Sequence, residues 1–207
     1  MSKKLVQISL LLMYSWFAYL LFKITLQYLP YNTDVAFLRI KQDYIQLEYY
    51  RIAFFVHVYT SVLLLPAAFT QFLPVFKRKW KAIHKFGGWL YVGIILLFAG
   101  PSGLIIGIYA NGGWSSRIAF VLLAVLWMVF TIVAMVKLKA KKIDAHKAFM
   151  IRSFALTLSA ITLRLWKYII VAFFHPRPMD VYQIVAWLGW GLNLFIAELI
   201  ILKTKSK

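Results

Sequence analysis

The segment His146 to Lys167, HKAFMIRSFALTLSAITLRLWK, places five basic groups in a stretch otherwise apolar enough to cross a bilayer: His146, Lys147, Arg152, Arg164 and Lys167. At a rise of ~1.5 Å per residue, Arg164 lies roughly 18 Å along the axis from Arg152, so if Arg152 sits near one membrane face, Arg164 is well inside. A charge at that depth costs at least about 2.5 kcal/mol on insertion scales, which favours a position facing protein, water or a bound anion. Ser153, Thr157, Arg164 and Lys167 follow helical i+3 and i+4 steps with Ala160 between them, and predict one polar stripe aimed at a bundle interior.

Histidines are the other groups whose type and spacing could do chemistry. His84 stands at the start of one apolar run and His146 at the start of another two runs later, so in an up-down bundle they end at matched depth on a diagonal pair of helices. Two imidazoles from different helices are what a six-coordinate haem iron needs, with Arg152 and Lys85 placed to hold its propionates. Gly87 and Gly88 follow His84 at i+3 and i+4, leaving little bulk beside the ring, so that either a flat cofactor or another helix can approach. His57 lies about 8 Å below the opposite end of its run, at a depth similar to Arg164. It is open to a hydrogen bond with a neighbouring helix, to ligation or to proton relay. Gly100, Pro101, Ser102 and Gly103 gather helix weakeners at that same level, either as a packing kink or as an opening onto a cavity.

These groups must be positioned by membrane helices. The chain has 207 residues, 63% of them hydrophobic, and a mean hydropathy of +0.77. Residues 1–207 are expected to form a single transmembrane domain. Six runs are long enough to cross: Leu5 to Gln27, Ile52 to Leu73, Phe86 to Tyr109, Ile118 to Val136, Ala148 to Phe174 and Tyr182 to Leu202. The expected fold is therefore all-α, an integral membrane bundle of six transmembrane helices with both termini cytoplasmic and helices two to five as its core.

The net charge of +18 is explained by topology. One set of connecting segments and termini holds fifteen cations against one acid, Asp144, while the other side has Arg39, Lys41, Arg51, Arg117 and Arg177 set against Asp34, Asp43, Glu48 and Asp180. That bias follows the positive-inside rule. It points to anionic lipid headgroups on the cytoplasmic side as partners and away from nucleic acid. With no cysteine, disulfides and thiol-based chemistry are excluded. No Ser-His-Asp set, H-E-x-x-H string or phosphate-cradling glycine loop is present.

Between the first two runs, Phe37, Ile40, Tyr44 and Leu47 recur at helical spacing and predict a short amphipathic helix on the outer surface, a lid with Tyr44, Tyr49 and Tyr50 in the interfacial belt. Asn111-Gly112-Gly113 predicts a tight turn, Asp144 an N-cap for the fifth helix, and His175-Pro176-Arg177-Pro178 a rigid outer turn. Glu198 and Arg152 fall at similar depth and predict a buried or semi-buried ion pair.

Six spans with histidines on the third and fifth resemble the dihaem b-type membrane cytochromes that take electrons from ascorbate-like donors. In that family, histidine pairs on spans three and five and on spans two and four hold the two haems. His84 and His146 match the first pair and His57 one member of the second, whose other ligand is missing from the fourth span; His175 is a poor substitute. The resemblance therefore implies one haem b at most, with His84 and His146 as iron ligands. A second resemblance covers nearly the whole chain. The strings FLRIKQDYI, AFFVHVYTSVLLLPAAFTQF, HKFGGWLYVG and HKAFMIRSFALTLSAITLRLW are similar to bacterial multi-pass membrane proteins classified only as a domain of unknown function, which implies a bacterial inner membrane setting.

Three functions follow as expectations. The first is a redox protein binding haem b, a quinone or both, through His84 and His146 at one end and His57 with Arg164 at the other. The second is binding or transport of an anionic lipid or small anion through Arg164 and Lys167. The third is a ligand-free structural or assembly protein.

Overall fold

The computed structural model describes residues 3–205, which form helices joined by turns, with no strand among them. The first helix is α1 (Lys3–Leu26); a cap follows, made of a 3-10 turn (Ala36–Ile40) and α2 (Gln42–Ile45). Next come α3 (Glu48–Ser61) and α4 (Leu64–Phe72), which together make the first long apolar crossing, and a short α5 (Pro74–Arg78). The next crossing is α6 (Lys81–Ile94), a π turn (Ile95–Ala99) and α7 (Gly100–Ile108). Then follow α8 (Gly113–Lys139), α9 (Ile143–Thr157), α10 (Ser159–Phe174) and α11 (Pro178–Lys205). Four crossings are long and apolar enough to span a bilayer, and α9 with α10 makes a fifth, bent by 43°. In α1 the apolar stretch is the shorter Leu11–Leu26.

Three crossings are interrupted, at residues 62–63, before Pro101 and at Leu158, and in the last two a side chain from another helix donates to a backbone carbonyl beside the break. Pro101 has no N–H to donate, and the turn just before it widens to π geometry. There the carbonyl of Ala99 accepts the Nδ1–H of His57 on α3 at 2.9 Å. At the Leu158 bend, the carbonyl of Ala155 accepts Asn193 Nδ2 of α11 at 3.0 Å, and the same amide reaches Thr162 Oγ1 at 3.0 Å. Broken membrane helices persist where neighbouring groups satisfy the backbone in this way.

The core is wider than helices two to five. Its main cluster joins Leu64, Ala67 and Ala68 of α4, Tyr91, Val92, Ile94, Ile95 and Ala99 of the α6–α7 crossing, Trp127 of α8, Leu156 of α9 and Trp190 of α11. The last helix is admitted because its inward face is small: Val185, Ala186 and Ala197 are buried, and a Cβ at Gly189 would come within 3.0 Å of the Leu163 side chain. The Arg152–Glu198 pair links α9 to the same helix, as the matched depth predicts, with Nε–Oε1 at 2.5 Å and Nη2–Oε2 at 2.8 Å.

The cap corrects the amphipathic reading by one residue. Leu38, Lys41 and Ile45 point inward, while Ile40 and Leu47 are exposed. The inward face keeps the i+3 and i+4 steps but starts from Leu38, while Phe37 and Tyr44 pack beside it against the same cluster. The cap is pinned by Tyr28 and by Phe54 and Phe55 of α3, which share its second apolar cluster with Tyr50. Asp144 likewise does not cap its helix. α9 begins two residues earlier than that cap would set, after Lys142, and Asp144 pairs instead with Lys147 at 3.0 Å. The predicted glycine turn is present, with Gly112 in the left-handed region at φ +84°.

Candidate functional site: a cavity beneath the cap

A cavity of about 310 Å³ lies under the cap, at the end of the bundle opposite the lysine-rich connections. That is the lower end of the size range of small-molecule sites. Every crossing, α1 and the cap contribute to its walls. Most of the lining is apolar, and the polar groups converge from separate elements: Thr25 and Tyr28 near the end of α1, Lys41 of the cap, His57 and Ser61 of α3, Thr157 and Ser159 at the α9–α10 bend, Arg164 of α10 and Tyr182 of α11. No carboxylate is among them.

Two full positive charges border this space. Lys41 is only 2% exposed, and its ammonium donates to the carbonyl of Tyr109, lying 5.0 Å from the ring centroid of Tyr44 and 5.9 Å from that of Phe37. Burial, and then the charge of Arg117, pulls the Lys41 pKa down to about 8. Arg164 donates through Nη1 to the carbonyl of Ala160, one turn back in its own helix. It is exposed and borders both this cavity and a second one between α1 and α10. The ion pairs among the described residues, Arg39–Asp34, Lys147–Asp144 and Arg152–Glu198, use neither cation.

His57 is held in place by its bond to Ala99, with Ser102 Oγ 3.4 Å from the same nitrogen. Gly103 permits this: a Cβ there would lie 3.1 Å from His57 Cε1. With Nδ1 committed, Nε2 is the nitrogen left for a ligand. The helix weakeners thus act both as a kink and as part of the wall, since Gly103 and Gly107 line the cavity.

The floor is a closed set of hydrogen bonds. Tyr91 Oη of α6 meets Thr157 Oγ1 at 2.6 Å and Ser153 Oγ at 3.1 Å. Trp127 Nε1 donates to Thr157 Oγ1 at 3.1 Å, and Thr131 Oγ1 lies 2.8 Å from Ser153 Oγ. Ser153 and Thr157, the buried part of the predicted stripe, are therefore fully engaged. The stripe continues past the bend through Ala160 and Arg164, which line the cavity, and ends there: Lys167, one turn further along α10, is exposed and lines neither space.

The remaining candidates lie at the lysine-rich end. His84 bonds through Nδ1 to the carbonyl of Thr70 at 3.2 Å, and His146 through Nδ1 to the carbonyl of Ala134 at 2.8 Å. The gap left by Gly87 and Gly88 is filled by Thr70 and Gln71, so it serves helix packing. Arg152, considered for a propionate, is engaged by Glu198 and stacks over Phe149 at 4.8 Å. Lys85 is exposed. Residues 54–201 match the family described as "Predicted membrane protein (DUF2306)".

The chain belongs to that family. No curated protein and no solved structure matches it. The family stretch contains His57, Tyr91, Thr157 and Arg164, whereas α1 and Lys41 precede it. Lys41 is the site residue that sequence reasoning missed. Its spacing from Leu38 and Ile45, at i+3 and i+4, was the available signal.

Proposed function

We propose that this membrane protein binds an acidic small molecule or lipid head in the cavity beneath the cap, through Arg164 and Lys41, with His57, Ser61 and Ser159 as further hydrogen-bonding groups. One observation carries the reading: two cations without carboxylate partners among the described residues border the same mostly apolar space. An unpaired charge within a membrane bundle is costly, and a bound anion offsets the cost while gaining charge-assisted hydrogen bonds. A quinone's carbonyls would meet the same donors but gain less from two full charges, so the anion is preferred. Lys41 takes the part that the sequence alone suggests for Lys167. The arrangement belongs to a six-crossing protein of a bacterial inner membrane with both termini cytoplasmic, a topology supported by the lysine bias between the two faces.

Benzoate, a compact carboxylate with an apolar body, tests the site. In phosphatidylcholine nanodiscs it is expected to raise the melting temperature of the wild type and to lose that effect in Arg164→Gln. Equal stabilisation of both proteins would reject the site.

A second reading concerns the other end of the bundle. His84 and His146 each precede by seven residues a member of the Tyr91–Ser153 contact, and seven residues return a helix to nearly the same face two turns away. The two histidines therefore stand at matched depth, and each has its Nδ1 on a carbonyl, His84 on that of Thr70 in α4 and His146 on that of Ala134 in α8, the bond that metal-ligating histidines usually make. That donor set fits a bis-histidine haem b, which would supply one-electron transfer there. A Soret band in protein from haem-replete cells, lost in His146→Ala, is the expected result; colourless protein would reject it.

A further inference from the structure

The second cavity, about 250 Å³, lies between α1 and α10 and is bordered by Phe17, Leu20, Leu21 and Ile24 on one side and Ile161, Leu165 and Tyr168 on the other. Leu21, Ile24 and Arg164 border both spaces, so the guanidinium stands at their junction. This groove is almost wholly apolar except for that one charge. A soluble anion arriving through the cap would have no use for it, whereas a molecule with a hydrocarbon tail would.

We propose that the α1–α10 groove is a lateral entrance from the bilayer, and that the occupant is a long-chain acid dissolved in the membrane, its head at Arg164 and its tail between α1 and α10. This rests on the acidic-ligand reading of the main cavity and adds the source of the ligand. Three observations agree. The charge at the junction attracts an acidic head, and guanidinium is the side chain best suited to a carboxylate or phosphate. The groove walls offer hydrocarbon to hydrocarbon, so the tail leaves lipid without exposing apolar surface to water. The main cavity has room for a compact head and is closed below by the Tyr91–Thr157–Trp127 bonds, which leaves the tail to the groove.

The absence of cysteine gives a clean test. A Leu165→Cys variant carries a single thiol in the groove and is blocked with a maleimide only after it has folded, which separates closing the entrance from misfolding. In phosphatidylcholine nanodiscs, palmitate at about ten times its Kd should slow maleimide modification about tenfold, and cetyl alcohol should not. After modification, palmitate should no longer raise the melting temperature while benzoate still does. If palmitate protects no better than cetyl alcohol, or stabilises the blocked protein as well as the open one, the entrance is overturned and the acidic-ligand site stands. If neither palmitate nor benzoate stabilises the unmodified protein, both readings fall.

Discussion

Arg152 and Arg164 sit on the two halves of the same bent crossing and have opposite fates. Arg152 meets Glu198 with two hydrogen bonds, in a pair whose arginine side chain is 18% exposed. Arg164 donates to a carbonyl of its own helix, has no carboxylate among the described residues, and borders an open space on each side. The same contrast separates two regions of the bundle: Tyr91, Ser153, Thr157 and Arg152 bond to side chains of other helices, while under the cap Lys41 and Arg164 bond only to carbonyls and border the cavity, among the described residues. A membrane arginine paired with a carboxylate serves the fold, and one that borders open space without such a partner marks a place where a bound anion would complete it.

The largest effect that can break this contrast is in the pH dependence of stability. The Lys41 pKa, at about 8 in the folded protein, lies below its ordinary value near 10.5, so between these pH values the unfolded chain binds more protons than the folded one. Stability should therefore rise as pH goes from about 8 to about 10.5, by up to roughly 3 kcal/mol, and the burden is fully present below that window. Denaturation of wild type and Lys41→Met across this range should show the rise only in the wild type; parallel curves would mean that Lys41 is not strained by burial. Next in size, Arg152→Leu should cost about 1–3 kcal/mol by stripping the guanidinium from Glu198, and Arg152→Leu with Glu198→Leu should recover much of it. A double variant no better than the single one would show that the pair is not what holds α9 to α11. Tyr91→Phe removes one hydroxyl from the closed floor and should lower stability by about 1 kcal/mol in the same unfolding assay. The smallest change belongs to Arg164→Leu, which should leave ligand-free stability within about 0.5 kcal/mol of wild type or raise it, since no ion pair is lost. A loss matching that of Arg152→Leu would erase the distinction between the two arginines.

The sequence displays these two arginines unequally. The Arg152–Glu198 pair is legible because helical rise alone sets both residues at one depth, and a regular helix keeps that count. The long apolar runs from Glu48 to Lys139 and the last helix are legible for the same reason. Lys167 is misplaced because periodicity gives the face of α10 and not how far along it the cavity reaches, and α10 lines the space beneath the cap only as far as Arg164. Lys41 is hidden because the stretch offers two faces at i+3 and i+4 steps one residue apart, and the wholly apolar one from Phe37 is the one that hydrophobicity selects. Tyr91 carries no signal of its own, since a tyrosine in an apolar run looks like packing until Ser153 and Thr157 are brought opposite it.

The π turn at Ile95–Ala99 also sets the rotational phase of everything after it. Gly103, Ile106, Gly107 and Ala110 all line the cavity, one smooth strip at i+3 and i+4 intervals. A wide turn carries one residue more than a regular one, so shortening it by a residue would rotate that strip by ~100° and bring bulkier flanks into the wall. A single deletion far from either cation would thus close the chamber while leaving every charged group in the chain.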